Sequence, residues 1–497
     1  MAAGKSLNRV GGEWTEPSTG RWFEDRDPAA PEEVVGIFPD SGAADADRAV
    51  AAARDAFPRW ARTPAPKRAE MLYRAGEILK RRKDELAHIM TREMGKVLAE
   101  TKGDVQEAID TAFYAAGEGR RLFGETTTSE LPDKFCMSVR QPIGVCGIIT
   151  PWNFPMAIPA WKMFPALLCG NTIVFKPAHD TPASASRFVE VLVEAGIPDG
   201  VVNLLHGHGR EVGTAIVEHP GVNLISFTGS TETGKKIAQQ CGGQLKRASL
   251  ELGGKNGMIV MDDADLDLAI EGAVWGCFGT TGQRCTATSR LILHEAISAE
   301  FTERLVRRAR ALRLGHGLEP GTDVGPLIHE AAREKVHRYV EIGKSEGAEL
   351  LCGGRPVDAG KLRGWFYEPT VFGKVLPNMR IAQEEIFGPV VAVLEVKDLD
   401  QAIAVLNGTR YGLSSSIYTA DVNRAFRAMR DIEAGITYVN GPTIGAEVHL
   451  PFGGVKETGN GHREAGPQVY DVFSEWKAIY VDYSGKLQKA QIDSQPS

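Results

Sequence analysis

The chain is short of cysteine, of long apolar runs and of positive charge, and each shortage removes a class of protein. Seven cysteines, at positions 136, 146, 169, 241, 277, 285 and 352, are too few and too scattered for a disulfide framework. There is no CxxC pair and no His or Cys cluster of zinc spacing. His206 and His208, two apart in a glycine-rich turn, read as loop histidines without a ligand. No apolar stretch reaches the roughly 18–20 residues that span a bilayer. Residues 1–7 lack a secretory-type apolar segment, and residues 494–497 carry no anchor motif. A net charge of −7 argues against non-specific attraction to nucleic acid or anionic membrane. Internal repeats, low-complexity segments and a GxGxxG fingerprint are also missing. A cytoplasmic protein is expected, with small molecules rather than nucleic acid or membrane as partners.

What is present is length and alternation. The 497 residues exceed what one hydrophobic core normally serves, so two or three domains are expected. After a loop-rich start, residues 45–57 and 67–94 carry apolar positions at helical spacing. From residue 143 short β-branched runs appear, at 143–150, 172–175, 201–205 and 224–228. Each is followed by a Gly- or Pro-bearing turn, and most then by a helical stretch, such as 183–195 or 213–218. This alternation predicts a parallel sheet covered on both faces. A second α/β series follows Glu251: strands at 257–261, 290–293 and 390–396, helices at 266–277, 298–312 and 399–407. Two such units place a ligand in the crevice at their strand ends. Residues 122–140 and 473–483 fit neither unit and read as strands with exposed aromatics, which need a partner and suggest an oligomer interface.

Chemistry concentrates in a few stretches. Cys285 lies among small residues in Gly282-Gln283-Arg284-Cys285-Thr286, where a thiol can attack a bound carbonyl. Glu251, in Glu251-Leu252-Gly253-Gly254-Lys255, is a carboxylate able to activate water. Gly229 and Ser230, between a strand and a helix start, suit a pyrophosphate, which glycine and free helix N–H groups admit closely. Lys176, at a strand end, can hold ribose hydroxyls; Asn153, in Pro151-Trp152-Asn153-Phe154-Pro155, offers an oxyanion donor. Trp152 and Phe154 can wall a pocket.

These motifs occur in one order. With Glu384-Glu385-Ile386-Phe387-Gly388-Pro389 and Pro451-Phe452-Gly453-Gly454-Val455-Lys456 they make seven, and the chain resembles the aldehyde dehydrogenase superfamily over most of its length. The resemblance implies a Rossmann-like cofactor domain, an α/β catalytic domain and a small β oligomerisation element. It assigns residues 1–121 and 142–254 to NAD(P) binding, 255–465 to catalysis, and 122–141 with 466–497 to oligomerisation into a homo-dimer or homo-tetramer. It implies Cys285 as nucleophile, Asn153 with the Cys285 N–H as oxyanion hole, and Glu251 as deacylating base. Lys176, Ser230, Gly229, Glu385, Phe387 and Trp152 are implied around NAD(P)+. Arg284, Glu107, Phe154, Trp161 and Phe452 are implied around the aldehyde. A lowered Cys285 pKa is expected, with Arg284 and Lys255 as candidate sources of charge.

The chain also departs from the family pattern. Three residues after the lysine, NAD-preferring relatives carry a glutamate; here His179 stands there, so NADP+ is expected to be accepted, with a lean toward it. Arg284 beside the nucleophile favours a carboxylate on the substrate. Glu107, Arg284 and the turn Gly445-Ala446-Glu447 resemble the antiquitin-like branch, which oxidises α-aminoadipic semialdehyde. The stretches around Lys176 and Phe452 look closer to bacterial dehydrogenases of 2-oxoglutarate or succinate semialdehyde. A general aromatic or aliphatic aldehyde is the alternative, with Glu107 a solvated helix charge and Arg284 a structural ion-pair partner. Further rivals are a coenzyme A-acylating enzyme, against which Glu251 counts, and a non-catalytic protein on this scaffold.

Overall fold

The computed structural model describes residues 4–357, 360 and 362–492. Residues 1–3 and 493–497, at the ends of the expected cofactor-binding and oligomerisation segments, lie outside the described residues, as do 358, 359 and 361. Among the described residues no helix is long and apolar enough to cross a membrane.

Two seven-stranded sheets carry the architecture. The first runs Arg247–Glu251, Leu224–Thr228, Val145–Ile149, Thr172–Lys176, Val202–Leu204, then Asn8–Val10 and Glu13–Thr15. The first five strands are parallel, and Asn8–Val10 pairs antiparallel with both Val202–Leu204 and Glu13–Thr15. Strand residues alternate between faces. Cys146, Ile148, Ile173 and Phe175 enter one core with helices Ala65–Arg81, Leu98–Gly117, Ala157–Cys169 and Pro182–Glu194. Val145, Ile149 and Val174 enter the other, against helices Ala43–Arg62 and Thr231–Gly243. The chain after Val145–Ile149 winds outward on one side, and the strands from Leu224 onward lie on the other. The strand order therefore switches between Ile149 and Thr228, and a crevice opens beyond their carboxyl ends.

The second sheet runs Glu349–Cys352, Thr370–Gly373, Val390–Val396, Thr288–His294, Asn256–Val260, Ser414–Tyr418 and Ile436–Val439, parallel except for its first strand. The two stretches that fit neither unit pair together: Ser474–Asp482, Lys134–Pro142 and Glu125–Thr128 form an antiparallel three-stranded sheet.

Two expectations change. The loop-rich start contains strands, among them Asn8–Val10, which extends the first sheet by pairing with Val202–Leu204. The expected helix at 67–94 breaks at Arg82 (φ −96°, ψ 10°) into Ala65–Arg81 and Lys83–Met94. Val469, Tyr470, Val472 and Phe473 are buried in the first core.

Candidate active site

Cys285 follows a tight turn. Helix Leu266–Phe278 stops at Gly279, and the turn Gly279–Gly282 holds Thr280 (φ 53°) and Thr281 (φ 57°) in the left-handed region. That conformation costs about 1–2 kcal/mol for each β-carbon-bearing residue, so surrounding bonds must hold it. They do: Thr280 N–H donates to Glu100 Oε1 at 2.7 Å, and Thr281 Oγ1 to the Gly325 carbonyl at 3.0 Å. Asn153 Nδ2 donates to the Gln283 carbonyl at 3.0 Å, and Asn256 Nδ2 to the Cys285 carbonyl at 2.8 Å. Gly254 packs so closely that a β-carbon there would lie 2.4 Å from the Cys285 carbonyl oxygen.

The thiol stands where two cavities meet. Cys285, Ile158, Thr228 and Leu252 line both. One cavity, about 250 Å³, lies at the strand switch and adds Trp152, Asn153, Gly229, Ser230, Glu385 and Phe387. The other, about 130 Å³, adds Glu107, Phe154, Trp161, Glu251, Arg284 and Phe452. That is close to the roughly 150 Å³ that accommodates a benzene-sized molecule. Trp161 and Phe452 meet edge-on at 4.7 Å, as do Trp152 and Phe387 at 5.5 Å.

The first cavity lies against a helix N-terminus. Ser230 Oγ accepts from Thr233 N–H at 3.3 Å and starts helix Thr231–Gly243, whose N-terminus favours an anion. A β-carbon on Gly253 would lie 2.6 Å from Glu385 Oε2, so glycine alone leaves room there. Glu385 accepts from Gly254 N–H at 2.9 Å.

Glu251 ends the edge strand of the first sheet, 3% exposed, and its Oε2 has no hydrogen-bond partner among the described residues. Burial, then the neighbouring Glu464, holds its pKa well above the carboxylate range, while Lys162 and Arg463 pull it down. A buried, unpartnered carboxyl of raised pKa beside a thiol is suited to taking a proton once it is ionised.

The profile of the aldehyde dehydrogenase family matches residues 14–479. The chain belongs to that family. It is 44% identical over 482 residues to an α-ketoglutarate semialdehyde dehydrogenase of Haloferax volcanii, covering 96% of this chain and 99% of the relative. An α-ketoglutaric semialdehyde dehydrogenase of Bacillus subtilis is 40% identical over 476 residues, covering 96% and 98%. The crystal structure of a betaine aldehyde dehydrogenase from Staphylococcus aureus with NAD+ superposes with a TM-score of 0.95 at 34% identity, covering 97% and 96%.

Within this aldehyde dehydrogenase, sequence reasoning missed Lys162 and Glu464. Fully buried Lys162 pairs with Glu464 and donates to Ser226 Oγ at 3.0 Å, beside Glu251. The signal was one lysine in the otherwise uncharged helix Ala157–Cys169.

The expected lowering of the Cys285 pKa is reversed. Burial, then Glu385 and Glu251, pushes the thiol up to about 12, and only the N–H groups of Thr286 and Cys285 oppose this. Arg284 turns away, its Nε to Thr280 Oγ1 at 2.8 Å and its Nη2 to Glu100 Oε1 at 3.1 Å. Lys255 is itself buried without a partner among the described residues, its pKa pushed down to about 7.

Lys176 and His179 lie away from both of these cavities. Lys176 is buried and donates to the Pro177 carbonyl at 2.6 Å, its pKa lowered by burial to about 8. His179 lines a separate cleft with Asp25, Glu93 and Asp180. At the substrate end, the Phe154 ring lies between two cations, Lys96 Nζ at 3.6 Å and the Arg284 guanidinium carbon at 5.4 Å from its centroid.

Proposed function

We propose that this aldehyde dehydrogenase oxidises a carboxylate-bearing semialdehyde to the acid with NAD(P)+, through a thioester on Cys285. The observation that carries the reading is the thiol at the junction of the cavity at the strand switch and a small cavity walled by Arg284 and Glu251. Glu385, Phe387, Trp152, Gly229 and Ser230 hold the nicotinamide and pyrophosphate end; Lys176 and His179 hold the adenosine ribose. When bound there, NAD(P)+ would supply the hydride acceptor.

The Cys285 sulfur adds to the carbonyl carbon as its proton leaves, and the oxyanion is met by Asn153 and the Cys285 N–H. Loss of hydride from that carbon leaves a thioester. Glu251 then takes a proton from water, the hydroxide adds, and the carbon–sulfur bond breaks to release the acid. With the free thiol raised to about 12, the first step relies on Glu251, or on water beside it, to take the thiol proton.

Two of the five N–H donors of Arg284 are engaged, so the guanidinium retains donors for a substrate carboxylate. The two semialdehyde dehydrogenases named above support a substrate of this class. Both cofactors are used, with the lean to NADP+ that a histidine at position 179 permits. The edge strand Ser474–Asp482, with Trp476, Tyr480 and Val481 exposed, supports a homo-dimer or homo-tetramer. Seven free cysteines support a cytoplasmic setting.

A panel of succinate and 2-oxoglutarate semialdehydes, pentanal and benzaldehyde, each with NAD+ and NADP+ and with or without coenzyme A, tests the reading. The semialdehydes are expected to lead without coenzyme A. Arg284→Ala is expected to lower their kcat/KM about 100-fold, the loss of a charge-assisted pair, while pentanal changes little. Preference for uncharged aldehydes, unchanged by Arg284→Ala, would remove the carboxylate assignment.

Glu107 adds a pH dependence. Burial, then Asp104, raises its carboxyl to about 8, so below that pH it is neutral and can donate to a substrate carboxylate. Above it the carboxyl ionises and repels the same group. KM for a semialdehyde is therefore expected to climb above pH 8 in the native enzyme, KM for pentanal to stay level, and Glu107→Gln to remove the climb.

A further inference from the structure

Helix Leu98–Gly117 carries three carboxyls, Glu100, Asp104 and Glu107, and of these only Glu107 lines the smaller cavity. Glu100 stands behind the cavity wall, with its side chain 5% exposed. It lies in the first turn of the helix, where the N-terminal dipole favours a carboxylate. Its Oε1 takes two donors from the segment that carries the nucleophile. One is Thr280 N–H at 2.7 Å, inside the left-handed turn Gly279–Gly282; the other is Arg284 Nη2 at 3.1 Å. A single carboxyl oxygen therefore joins the turn before the thiol to the cation that walls the cavity.

Arg284 has further supports. Its Nε donates to Thr280 Oγ1 at 2.8 Å, and its guanidinium carbon lies 5.4 Å from the Phe154 centroid and 4.9 Å from the Trp275 centroid. Removing the charge of Glu100 while keeping an acceptor there would leave the guanidinium in place. The charges nearby are balanced. Lys96 pairs with Asp104 at 2.7 Å, both side chains fully buried, and Arg284 pairs with Glu100. Asp104 also takes Ala157 N–H at 2.8 Å, anchoring the helix that carries Trp161. Glu107 is neutral below about pH 8. Two cations thus meet two anions, and a substrate carboxylate arriving beside Arg284 adds an uncompensated negative charge. Attraction to Arg284 and repulsion from Glu100 act on it together, where burial weakens screening.

We propose that Glu100 is a positioning residue with two effects: it weakens the hold of Arg284 on a substrate carboxylate, and it fixes the turn that presents Cys285. The proposal rests on the reading of Arg284 as the carboxylate partner and adds the group that tunes that partner. Glu100→Gln keeps an oxygen for Thr280 N–H and removes the negative charge. Glu100→Asp keeps the charge but draws the oxygen back by one methylene, away from Thr280 N–H.

Both variants are assayed beside Arg284→Ala, each with 2-oxoglutarate semialdehyde and with pentanal. In Glu100→Gln the ratio of kcat/KM for the semialdehyde to that for pentanal is expected to rise about five- to tenfold, through a lower semialdehyde KM. In Glu100→Asp kcat is expected to fall about tenfold for both aldehydes, with the ratio within about twofold of native. A purely structural role would lower both substrates together in both variants and leave the ratio flat. A ratio that is flat or falls in Glu100→Gln overturns the proposal. So does a native kcat in Glu100→Asp, the variant that decides if Glu100→Gln does not fold. Where Arg284→Ala still lowers semialdehyde turnover, either result leaves the carboxylate reading standing. If Arg284→Ala leaves the semialdehyde unaffected, that reading falls and the proposal with it.

Discussion

Cys285→Ala is expected to abolish the first turnover of reduced cofactor, not merely steady-state activity, with a loss of about 10⁴-fold or more. Alanine removes the sulfur proposed to bond to the carbonyl carbon and keeps the backbone N–H expected to donate to the oxyanion. Folding should survive, since the loop is held through backbone groups: the Cys285 carbonyl by Asn256, the Gln283 carbonyl by Asn153, and Thr280 N–H by Glu100. Stopped-flow detection of reduced cofactor, with the melting temperature as control, checks both halves. Cofactor reduction that persisted at the native rate would defeat the nucleophile assignment. The other six cysteines, Cys277 among them, are buried and line neither of the two cavities that meet at Cys285.

Glu251→Gln separates the two half-reactions. The variant is expected to retain a burst of reduced cofactor close to one per site and then stall, with steady-state turnover down about 10²–10⁴-fold, the usual contribution of a general base. The burst itself should be slower than native if Glu251 also receives the thiol proton. The native pH profile carries the same signature. Glu251 must be ionised to act, and its pKa lies above the carboxylate range because it is buried beside Glu464. Turnover is therefore expected to rise with pH through that raised value and to be low where an ordinary carboxylate would already be ionised. In Glu251→Gln that limb of the profile should vanish. A variant that turns over at the native rate with no burst would remove Glu251 from deacylation.

Much of the scaffold was readable because β-branched runs and helical spacing are local signals. Leu224–Thr228, Val390–Val396 and Leu399–Asn407 have the bounds their residues imply. Strand Asn8–Val10 was not readable, being three residues long and joined to the first sheet through Leu204, far along the chain. Helix Leu98–Gly117, which carries Glu100, Asp104 and Glu107, has Val105, Ala108, Ile109 and Ala112 at helical spacing. Its buried Thr101, Asp104 and Thr111 dilute that pattern.

The site divides the same way. Cys285, Glu251 and Asn153 show in short motifs the residue types behind the roles proposed for them. Their electrostatics do not, because the groups that raise the thiol pKa, Glu385 and Glu251, reach it only through the fold. Arg284 shows the limit most clearly. Adjacent in sequence to the thiol, it was expected to activate it. In the fold its guanidinium turns to Glu100 and Thr280 and overlies the Phe154 ring, becoming part of the wall of the smaller cavity.

The most direct test of the account is the mass of the peptide bearing residue 285. Glu251→Gln enzyme, mixed with 2-oxoglutarate semialdehyde and NAD(P)+ and quenched in acid, is digested and weighed. The account predicts that Cys285 carries the acyl group of the semialdehyde, in amounts matching the burst of reduced cofactor. A burst with Cys285 unmodified, or with the acyl group on another residue, would contradict it.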